Sequence, residues 1–377
     1  MSQSKFDLTY LSIDSVQEGV GSSQITPLIL GLAKNGQRVC LITFEKVQPS
    51  EDLAKKVKGA GVEWTPCEFG KVGALAGVLR LNKLRKSVPN SNVLHGRSDI
   101  PTVAALWSNI DAPVLWDVRS LWSDQRKLIG TSGWNSLSAR GARSLENVSA
   151  KNAAAMTTLT AAVVPILEKR HARLPGIREV IPTCVQTSKF TPSPMPKGEL
   201  VCLLSGTFNN YYDINRTRQI IISLRKSIDL KVIWARAGES PDTRLGVGED
   251  LVISATHSQM PKLVADSHFG MAICKEDNLE SLAAAVPTKI GEFLASGRPV
   301  IVSKGIGDME LLLSSSKTGI TVGHSDSLSN LGEQISGLIS DPAIEERCRA
   351  LAMEHFDMDK AIATYSRIYS QMTGGSH

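Results

Sequence analysis

The sequence contains no CxxC pair, and its six cysteines are scattered over 377 residues. Isolated cysteines inside apolar segments such as RVCLITF are typical of buried thiols that serve as small hydrophobic side chains. The seven histidines also lack the spacing of metal ligands. We therefore expect neither a disulfide framework nor a zinc site, and the cysteine pattern favours a reducing cytosol.

Long apolar runs are also missing. No run reaches the roughly 18 residues that a membrane span needs, and the N-terminal MSQSKFD does not have a signal-peptide pattern. We therefore expect a cytoplasmic protein. The formal net charge of +5 is modest. It suits an anionic substrate or an acidic membrane surface, and nothing beyond it indicates a nucleic-acid partner.

What the sequence does contain is a regular alternation of apolar strand-like segments and amphipathic segments. In the first half the strand-like segments are FDLTYLSI, RVCLITF, NVLHG, APVLWDV and AMTTLT; in the second half they are LVCLLSG, LKVIWAR, DLVIS, HFGMAICK, RPVIVS and GITVG. Such alternation predicts parallel sheets covered by helices. We expect an α/β fold of two doubly wound, Rossmann-like domains that face a central cleft, with ligands at the carboxyl ends of the strands.

A proline-rich segment separates the two halves. Residues 181–199 contain four prolines and few apolar residues, which is typical of a linker. We predict a first domain over residues 1–185, a linker over 186–199 and a second domain over 200–357. Residues 358–373 are predicted to form a helix that could belong to either domain and could pack back on the first.

The stretch EGVGSSQ, which follows the first predicted strand, raises the question of a cofactor. Gly19 and Gly21 match two glycines of the dinucleotide-binding pattern G-x-G-x-x-G, and Glu45 is a candidate ribose-binding acid, but Gln24 replaces the third glycine. A redox cofactor, a plain strand-to-helix turn and a loop that approaches a phosphate or sugar all remain possible.

The residues after this loop predict a helix. Ile25, Leu28, Ile29 and Leu32 fall on one helical face, and Gly36 follows the predicted end. Ser22 or Ser23 is the predicted N-cap.

The run AVPTKIGEFLASGRPVIVSKGIGDME is the most informative part of the second half. It predicts a short helix whose buried face carries Ile290, Phe293 and Leu294. Lys289 and Glu292 lie on neighbouring parts of the other face. The helix N-terminus and Lys289 could bind a diphosphate, and Glu292 could accept hydrogen bonds from ribose hydroxyls. The alternative is an exposed Lys/Glu pair without a ligand.

PTKIGEFLASGRPVI, with GIGD after it, resembles the donor-nucleotide segment of family-four glycosyltransferases, which have the two-domain fold called GT-B. In the first half, SSQITPLILGLAKNGQRVCLITFEK resembles the first loop, helix and second strand of the family. VLHGRSDIP and LWDVRSLWSDQRKLIG resemble a subgroup with H-x-R-S and D-x-R-G-x-W-x-D-E motifs, and IPTCVQTSKF resembles the interdomain I-P-T-x-V-D-x-x-x-F. The resemblance covers nearly the whole chain.

The resemblance implies a retaining transfer of a sugar from a nucleotide-diphosphate sugar to an acceptor hydroxyl, with no required cofactor or metal. It places the acceptor on the first domain and the donor on the second. Donor-binding roles are implied for Gly19, Gly21, Pro287, Thr288, Lys289 and Glu292. Catalytic roles, facing the sugar or the acceptor, are implied for His95, Arg97, Asp117 and Arg119. Further candidate cations are Arg216 and Arg236.

Several positions depart from the family pattern. Ala284 stands where the family has a glutamate, and Ser120 replaces the glycine after Arg119. Gln125 and Gln186 each replace a carboxylate, a change that could weaken activity. These two changes make a non-catalytic sugar-nucleotide binder one alternative to a transferase. A nucleotide-sugar epimerase is the other, because that class of isomerase shares the two-domain fold.

The subgroup resemblance also implies a role in the assembly of a surface polysaccharide or glycolipid, with a glycan or lipid-linked acceptor. The stretch RLNKLRKS supplies four cations that could dock on the inner face of an anionic membrane, namely Arg80, Lys83, Arg85 and Lys86. The alternative is a solvated helix face.

Overall fold

The computed structural model describes residues 5–71, 73–128, 133–208, 211–238, 244–276 and 279–374. The chain divides into two compact units: Met1–Ile181 together with Met358–His377, and Pro182–Asp357. No helix in these described ranges has the length and apolar character of a membrane span.

The first unit is built on a seven-stranded parallel sheet in the order β3-β2-β1-β4-β5-β6-β7. The strands are β1 Phe6–Leu11, β2 Val39–Glu45, β3 Glu63–Glu68, β4 Ser91–Arg97, β5 Val114–Val118, β6 Ala155–Thr158 and β7 Ile177–Val180. The helices between them are α1 Thr26–Lys34, α2 Glu51–Gly59, α3 Ala74–Ser87, α4 Asp99–Leu106, α5 Trp122–Leu128, α6 Gly133–Asn152 and α7 Val164–Arg170.

The central strands of this sheet are apolar because helices cover both of their faces. All seven residues of β2 and all five of β5 are buried, whereas edge strand β3 exposes most of its side chains. The strand order reverses between β1 and β4, so the loops after these strands diverge at the carboxyl edge of the sheet. This is the position at which ligands bind in open α/β sheets.

The second unit contains a six-stranded parallel sheet in the order β10-β9-β8-β11-β12-β13. Its strands are β8 Leu200–Ser205, β9 Leu230–Arg236, β10 Leu251–Ser254, β11 Phe269–Ala272, β12 Val300–Ser303 and β13 Gly319–Val322. Its helices are α8 Ile214–Leu224, α9 Met260–Ala265, α10 Leu279–Ala283, α11 Thr288–Ala295, α12 Met309–Ser316, α13 Leu331–Ser340 and α14 Ile344–His355. The predicted fold of two doubly wound parallel sheets is confirmed.

A close contact seats α11 on β11. A Cβ atom added to Gly270 would lie 2.2 Å from the Phe293 ring, so only glycine lets this ring lie flat on the strand. Ile290 and Leu294 are also fully buried, as predicted from the helical period. Gly297 follows the helix with φ of +78°, a conformation that suits glycine. The N-terminus of α11 therefore has a fixed position at the carboxyl edge of this sheet.

The last helix, α15 Met358–Met372, belongs to the first unit. It packs on α1 so closely that a Cβ atom at Gly31 would lie 2.2 Å from Ile362 Cδ1. Its Tyr365 and Tyr369 rings are stacked and buried.

Residues 186–199 have no helix or strand of their own. They lie in the second unit, where Arg298 donates to the Ser193 carbonyl and Arg349 donates to the Thr187 and Phe190 carbonyls.

Candidate functional site

The loop after β1 needs both of its glycines. Gly19 has φ of +55°, and a Cβ atom at Gly21 would lie 1.7 Å from the Ser15 carbonyl oxygen. The chain then forms a π-helical turn, Gly21–Ile25, that continues into α1. The predicted serine N-cap is wrong, because the Ser22 and Ser23 hydroxyls donate backwards to the Gly19 carbonyl at 2.9 and 3.3 Å. Their side chains hold the loop, and the π-turn starts the helix.

Glu45, at the end of β2, fixes the same loop through hydrogen bonds from Ser15 and Val16. Its buried carboxylate accepts hydrogen bonds from Ser15 Oγ at 2.5 Å, the Val16 amide at 3.1 Å and Thr43 Oγ1 at 2.6 Å. A dinucleotide-binding site needs this carboxylate for a ribose hydroxyl. Here its oxygens are occupied by the loop, which argues against the redox alternative.

We predict that Glu45→Gln destabilises the first unit by about 1.5–3 kcal/mol, because an amide cannot accept all the hydrogen bonds that this buried carboxylate accepts. Hydrogen exchange at the amides of residues 15–17 measures the effect. Glu63→Gln is the control, since Glu63 is exposed in an ion pair with Lys5 and its loss costs little. If Glu45→Gln leaves amide protection intact and instead alters dinucleotide binding, the loop-anchor role is wrong.

Three neighbouring strands bring the predicted catalytic residues of the first unit together. The sheet register pairs Arg97 of β4 with Asp117 of β5, and Asp117 with Thr157 of β6. Thr157 Oγ1 donates to Asp117 Oδ1 at 2.9 Å. The other groups facing this carboxylate are His95 Nε2 at 3.4 Å, Arg119 Nη1 at 3.5 Å and Arg97 Nη1 at 3.8 Å. One buried carboxylate thus faces two guanidinium groups and an imidazole.

The electrostatics keep Asp117 ionised. Burial acts to raise the pKa of Asp117, but the Arg119 guanidinium and the facing His95 N–H outweigh it and hold the pKa well below its usual value. Burial lowers the pKa of His95, against the opposing effect of Asp117, so the imidazole is neutral near pH 7. The cluster therefore has a permanent anion at its centre with fixed cations around it.

His95 also contacts the last helix. Its Nδ1 lies 2.7 Å from the Tyr369 hydroxyl, and the Tyr10 ring is 4.2 Å from the imidazole between ring centroids. Because the Asp117 carboxylate can only accept, His95 Nε2 carries the proton and Nδ1 accepts from Tyr369. His95 and Asp117 are 0% and 1% exposed. In this structure both are enclosed by other side chains.

Asp14 is a polar neighbour that the sequence motifs did not single out. It follows β1 at the carboxyl edge of the sheet, and its Oδ2 accepts from Arg97 Nε at 3.0 Å. Its side chain is 47% exposed, in contrast to 4% for Arg97. Its only sequence signal was its position just after a strand. Asp14 therefore links the buried cluster to solvent, because its half-exposed carboxylate is paired with the buried Arg97 guanidinium.

In the second unit, the predicted donor residues gather at the N-terminus of α11. Pro287 is the N-cap and Thr288 the first helical residue, and no side chain caps the helix start. Thr183 Oγ1 donates to the Val286 carbonyl at 2.6 Å, which fixes the approach to the helix. Lys289 and Glu292 are each only 8% exposed, so the alternative of an exposed pair is wrong.

The Lys289 ammonium is buried without a hydrogen-bond acceptor among the described residues. Nζ lies 4.3 Å from the Tyr212 ring centroid and 5.4 Å from that of Phe208. A Cβ atom at Gly206, just after β8, would lie 3.9 Å from Nζ. Two aromatic faces and a glycine therefore surround an ammonium that donates no hydrogen bond within the described part of the chain.

Burial shifts both ionisable groups of this helix. It lowers the pKa of Lys289 to about 8, against the opposing effects of Cys274 and Glu292. It raises the pKa of Glu292 to about 7, although the Lys289 charge acts in the opposite direction. Shifts of this kind, with a charge partner and burial combined, are typical of functional sites.

The further candidate cations of the second unit have structural contacts. Arg216 Nη2 donates to the Gly323 carbonyl at 2.6 Å and the Asp326 carbonyl at 2.9 Å, so it ties α8 to the loop after β13. Arg236 lies over the Trp234 ring at 5.2 Å. No group of three or more potential metal ligands occurs among the described residues.

No protein-family model matches the chain, and no curated protein matches it. Solved structures do. Sucrose-phosphate synthase from Thermosynechococcus elongatus superimposes with a TM-score of 0.71 at 14% identity, over 98% of this chain and all of the other. Anabaena HepE in complex with UDP gives 0.65 at 14% identity, over 97% of this chain and all of the other. WaaG, a glycosyltransferase involved in lipopolysaccharide biosynthesis, gives 0.65 at 13% identity, over 98% of this chain and all of the other.

The chain has the GT-B fold. At these identities the likeness establishes the architecture and leaves the activity to the residues of the site.

Proposed function

We propose that this protein is a glycosyltransferase that moves a sugar from a nucleotide-diphosphate sugar to an acceptor hydroxyl. The observation that carries the proposal is the buried Lys289 ammonium at the N-terminus of α11, which has no hydrogen-bond acceptor among the described residues. Burying an unpaired ammonium is costly, and a bound diphosphate removes that cost. HepE, which was solved in complex with UDP and with UDP-glucose, and WaaG, whose name gives it as a glycosyltransferase, support this choice of ligand.

The proposed donor site uses the first turn of α11. Helix N-termini bind anions through free N–H groups and the helix dipole, and here Pro287 and Thr288 lead into that turn beside the Lys289 charge. Glu292, one turn later, accepts from the two ribose hydroxyls. In the first unit, Gly19 and Gly21 give the loop a bare backbone that can approach a donor.

The proposed chemistry relies on positive charge. A leaving diphosphate needs charge stabilisation more than it needs a general base, and Arg97 and Arg119 supply fixed cations on the side of the sugar or acceptor. His95 and Asp117, enclosed beneath them, are proposed as positioning residues. The proposal further includes retention at the anomeric carbon, no required metal, and a role in surface polysaccharide or glycolipid assembly. The six buried free cysteines suit the proposed cytoplasmic location.

A turnover assay tests the proposal. The purified protein is given uridine, guanosine and adenosine diphosphate sugars, with and without glycan acceptors, and released nucleoside diphosphate is measured. A transferase releases nucleoside diphosphate with one donor class, and Glu292→Gln slows this release. NMR of the product then reports retention or inversion. Conversion of a nucleotide sugar into its epimer without an acceptor would instead identify an isomerase.

Gln125 and Gln186, each in place of a family carboxylate, favour one second candidate: a sugar-nucleotide binder without turnover. The same assay separates the two functions. Stabilisation by a nucleoside diphosphate together with inactivity towards every donor would identify the non-catalytic binder. Activity restored by Gln125→Glu would then show that the lost carboxylate is responsible.

The pH dependence of donor binding follows from the two shifted groups. Glu292 accepts from ribose fully only when ionised, above its pKa of about 7, and Lys289 attracts a diphosphate only when protonated, below its pKa of about 8. We predict that affinity for a nucleoside diphosphate is highest between these values and falls on both sides. Calorimetry from pH 6 to 9 measures it. Lys289→Arg abolishes the alkaline fall, because arginine stays charged. A flat profile for the unaltered protein would contradict these assignments.

A further inference from the structure

Helix α3 exposes a row of large apolar side chains. Leu75, Val78 and Leu79 are 74%, 63% and 62% exposed, and their spacing of three and four places them on one face. No other helix within the described ranges exposes three such residues. Contiguous exposed apolar surface of this kind marks an interaction site rather than an ordinary surface.

The opposite face holds α3 to the first unit. Leu84 is completely buried, and a Cβ atom at Gly77 would lie 3.7 Å from Ile100 Cδ1 of α4. The exposed row therefore lies opposite the face by which the helix packs on the first unit. Because Leu84 and Gly77 pack against the first unit, Leu75, Val78 and Leu79 point away from it.

The exposed side chains of α3 are apolar in its first half and basic in its second half. Residues 74–87 contain no acid, and Lys83, Arg85 and Lys86 are exposed in the second half. Arg80 departs from the predicted basic patch: Nη1 donates to the Phe69 and Lys71 carbonyls, both at 2.9 Å, and the guanidinium lies over the Phe69 ring. Arg80 thus fixes the start of the helix. The Lys83 ammonium lies 5.9 Å from the centroid of the buried Phe44 ring, so the outward cations are Arg85 and Lys86.

We propose that α3 lies in the surface of an anionic lipid membrane, with Leu75, Val78 and Leu79 among the acyl chains. Arg85 and Lys86 then contact lipid phosphates. A helix with an apolar row beside cations is the form that binds membrane interfaces, and the row and cations together span about 16 Å at 1.5 Å per residue. A stable protein interface needs roughly 800 Å² per partner, more than three side chains supply, which favours lipid over a second copy.

Flotation with lipid vesicles tests the proposal, using phosphatidylcholine alone and mixed with phosphatidylglycerol. The unaltered protein floats with the mixed vesicles and stays behind with phosphatidylcholine. Leu75→Ser combined with Leu79→Ser reduces the partition coefficient about 100-fold, because each buried leucine contributes roughly tenfold. The matched control is Leu311→Ser, which alters an equally exposed leucine (71%) on α12 and leaves flotation unchanged.

A second pair of variants tests the cations. Arg85→Gln with Lys86→Gln lowers binding to the mixed vesicles roughly 30-fold, about fivefold per cation. Lys56→Gln with Lys58→Gln, on exposed positions of α2, has no such effect. Release of nucleoside diphosphate with a soluble acceptor is unchanged in all of these variants, so membrane binding and sugar transfer are judged separately.

Three results would overturn the proposal. The unaltered protein could fail to float with either vesicle, or Leu311→Ser could reduce flotation as much as the α3 variants do. Sedimentation could show a dimer that Leu79→Ser dissociates, in which case the row is an interface between two copies of the chain.

Discussion

Lys289→Met is expected to weaken nucleoside-diphosphate binding about 100-fold while leaving the free protein as stable as before or more stable. A charge-assisted contact to phosphate contributes about 2–3 kcal/mol, which corresponds to this loss of affinity. In the free protein the ammonium is buried with no hydrogen-bond acceptor among the described residues, so its removal relieves a desolvation cost. Methionine fills similar space and packs against the Tyr212 and Phe208 rings.

The experiment distinguishes a ligand-binding residue from a structural one, because affinity is expected to fall while stability stays the same or rises. Isothermal titration calorimetry gives the affinity for a nucleoside diphosphate and for the same nucleoside without phosphates, and thermal unfolding gives the stability. The nucleoside should bind Lys289→Met and the unaltered protein equally weakly. Lys226→Met, at an exposed lysine of the same unit, should change neither quantity. A variant that loses stability but keeps its diphosphate affinity would mean that Lys289 is a structural residue.

Asp117→Ala is expected to destabilise the first unit by about 3–5 kcal/mol, because it leaves the cations around a buried carboxylate without their anion. In the same variant Thr157 Oγ1 loses its acceptor, and His95 Nε2 loses the carboxylate that faces it at 3.4 Å. The folded-state pKa of Asp117 is lowered, so its stabilising contribution is complete above the unfolded value of about 3.9. That contribution disappears as pH falls through the folded-state pKa.

Hydrogen exchange resolves this effect by unit. In Asp117→Ala, the amides of β4 and β5 should lose protection while those of β8 and β12 keep theirs. Asp111→Ala, at an exposed position shortly before β5, is the matched control and should leave both sets unchanged. Unchanged protection of β4 and β5 in Asp117→Ala would show that the carboxylate does not hold this cluster together.

The strands could be predicted from the sequence except where they lie at a sheet edge. All eleven apolar segments correspond to strands, because buried parallel strands need continuous apolar runs. The two that were missed, β3 with sequence EWTPCE and β7 with IREV, lie at opposite edges of the first sheet. One side of an edge strand faces solvent, so its sequence keeps polar residues and gives no apolar run.

The candidate sites were only partly visible in the sequence. The helical period placed Lys289 and Glu292 side by side. The aromatic rings beside the Lys289 ammonium come from Phe208 and Tyr212, which three strands and three helices separate from α11. The Tyr369 contact to His95 joins residues 274 positions apart, and no local pattern predicts such a pair. Glu45 had the sequence position of a ribose-binding acid, because its hydrogen bonds from Ser15 and Val16 of the neighbouring loop exist only in the folded unit.

A thermal-shift panel tests the central claim most directly. It compares uridine, guanosine and adenosine diphosphates and their sugars with NAD and NADP, on the unaltered protein and on Glu292→Ala. At a hundred times its dissociation constant, a ligand adds about 2.7 kcal/mol of stability. We predict that one nucleoside diphosphate stabilises the unaltered protein and that Glu292→Ala loses most of this effect. Stabilisation by a dinucleotide alone, unchanged in Glu292→Ala, would contradict the assignment of α11 as a sugar-nucleotide site.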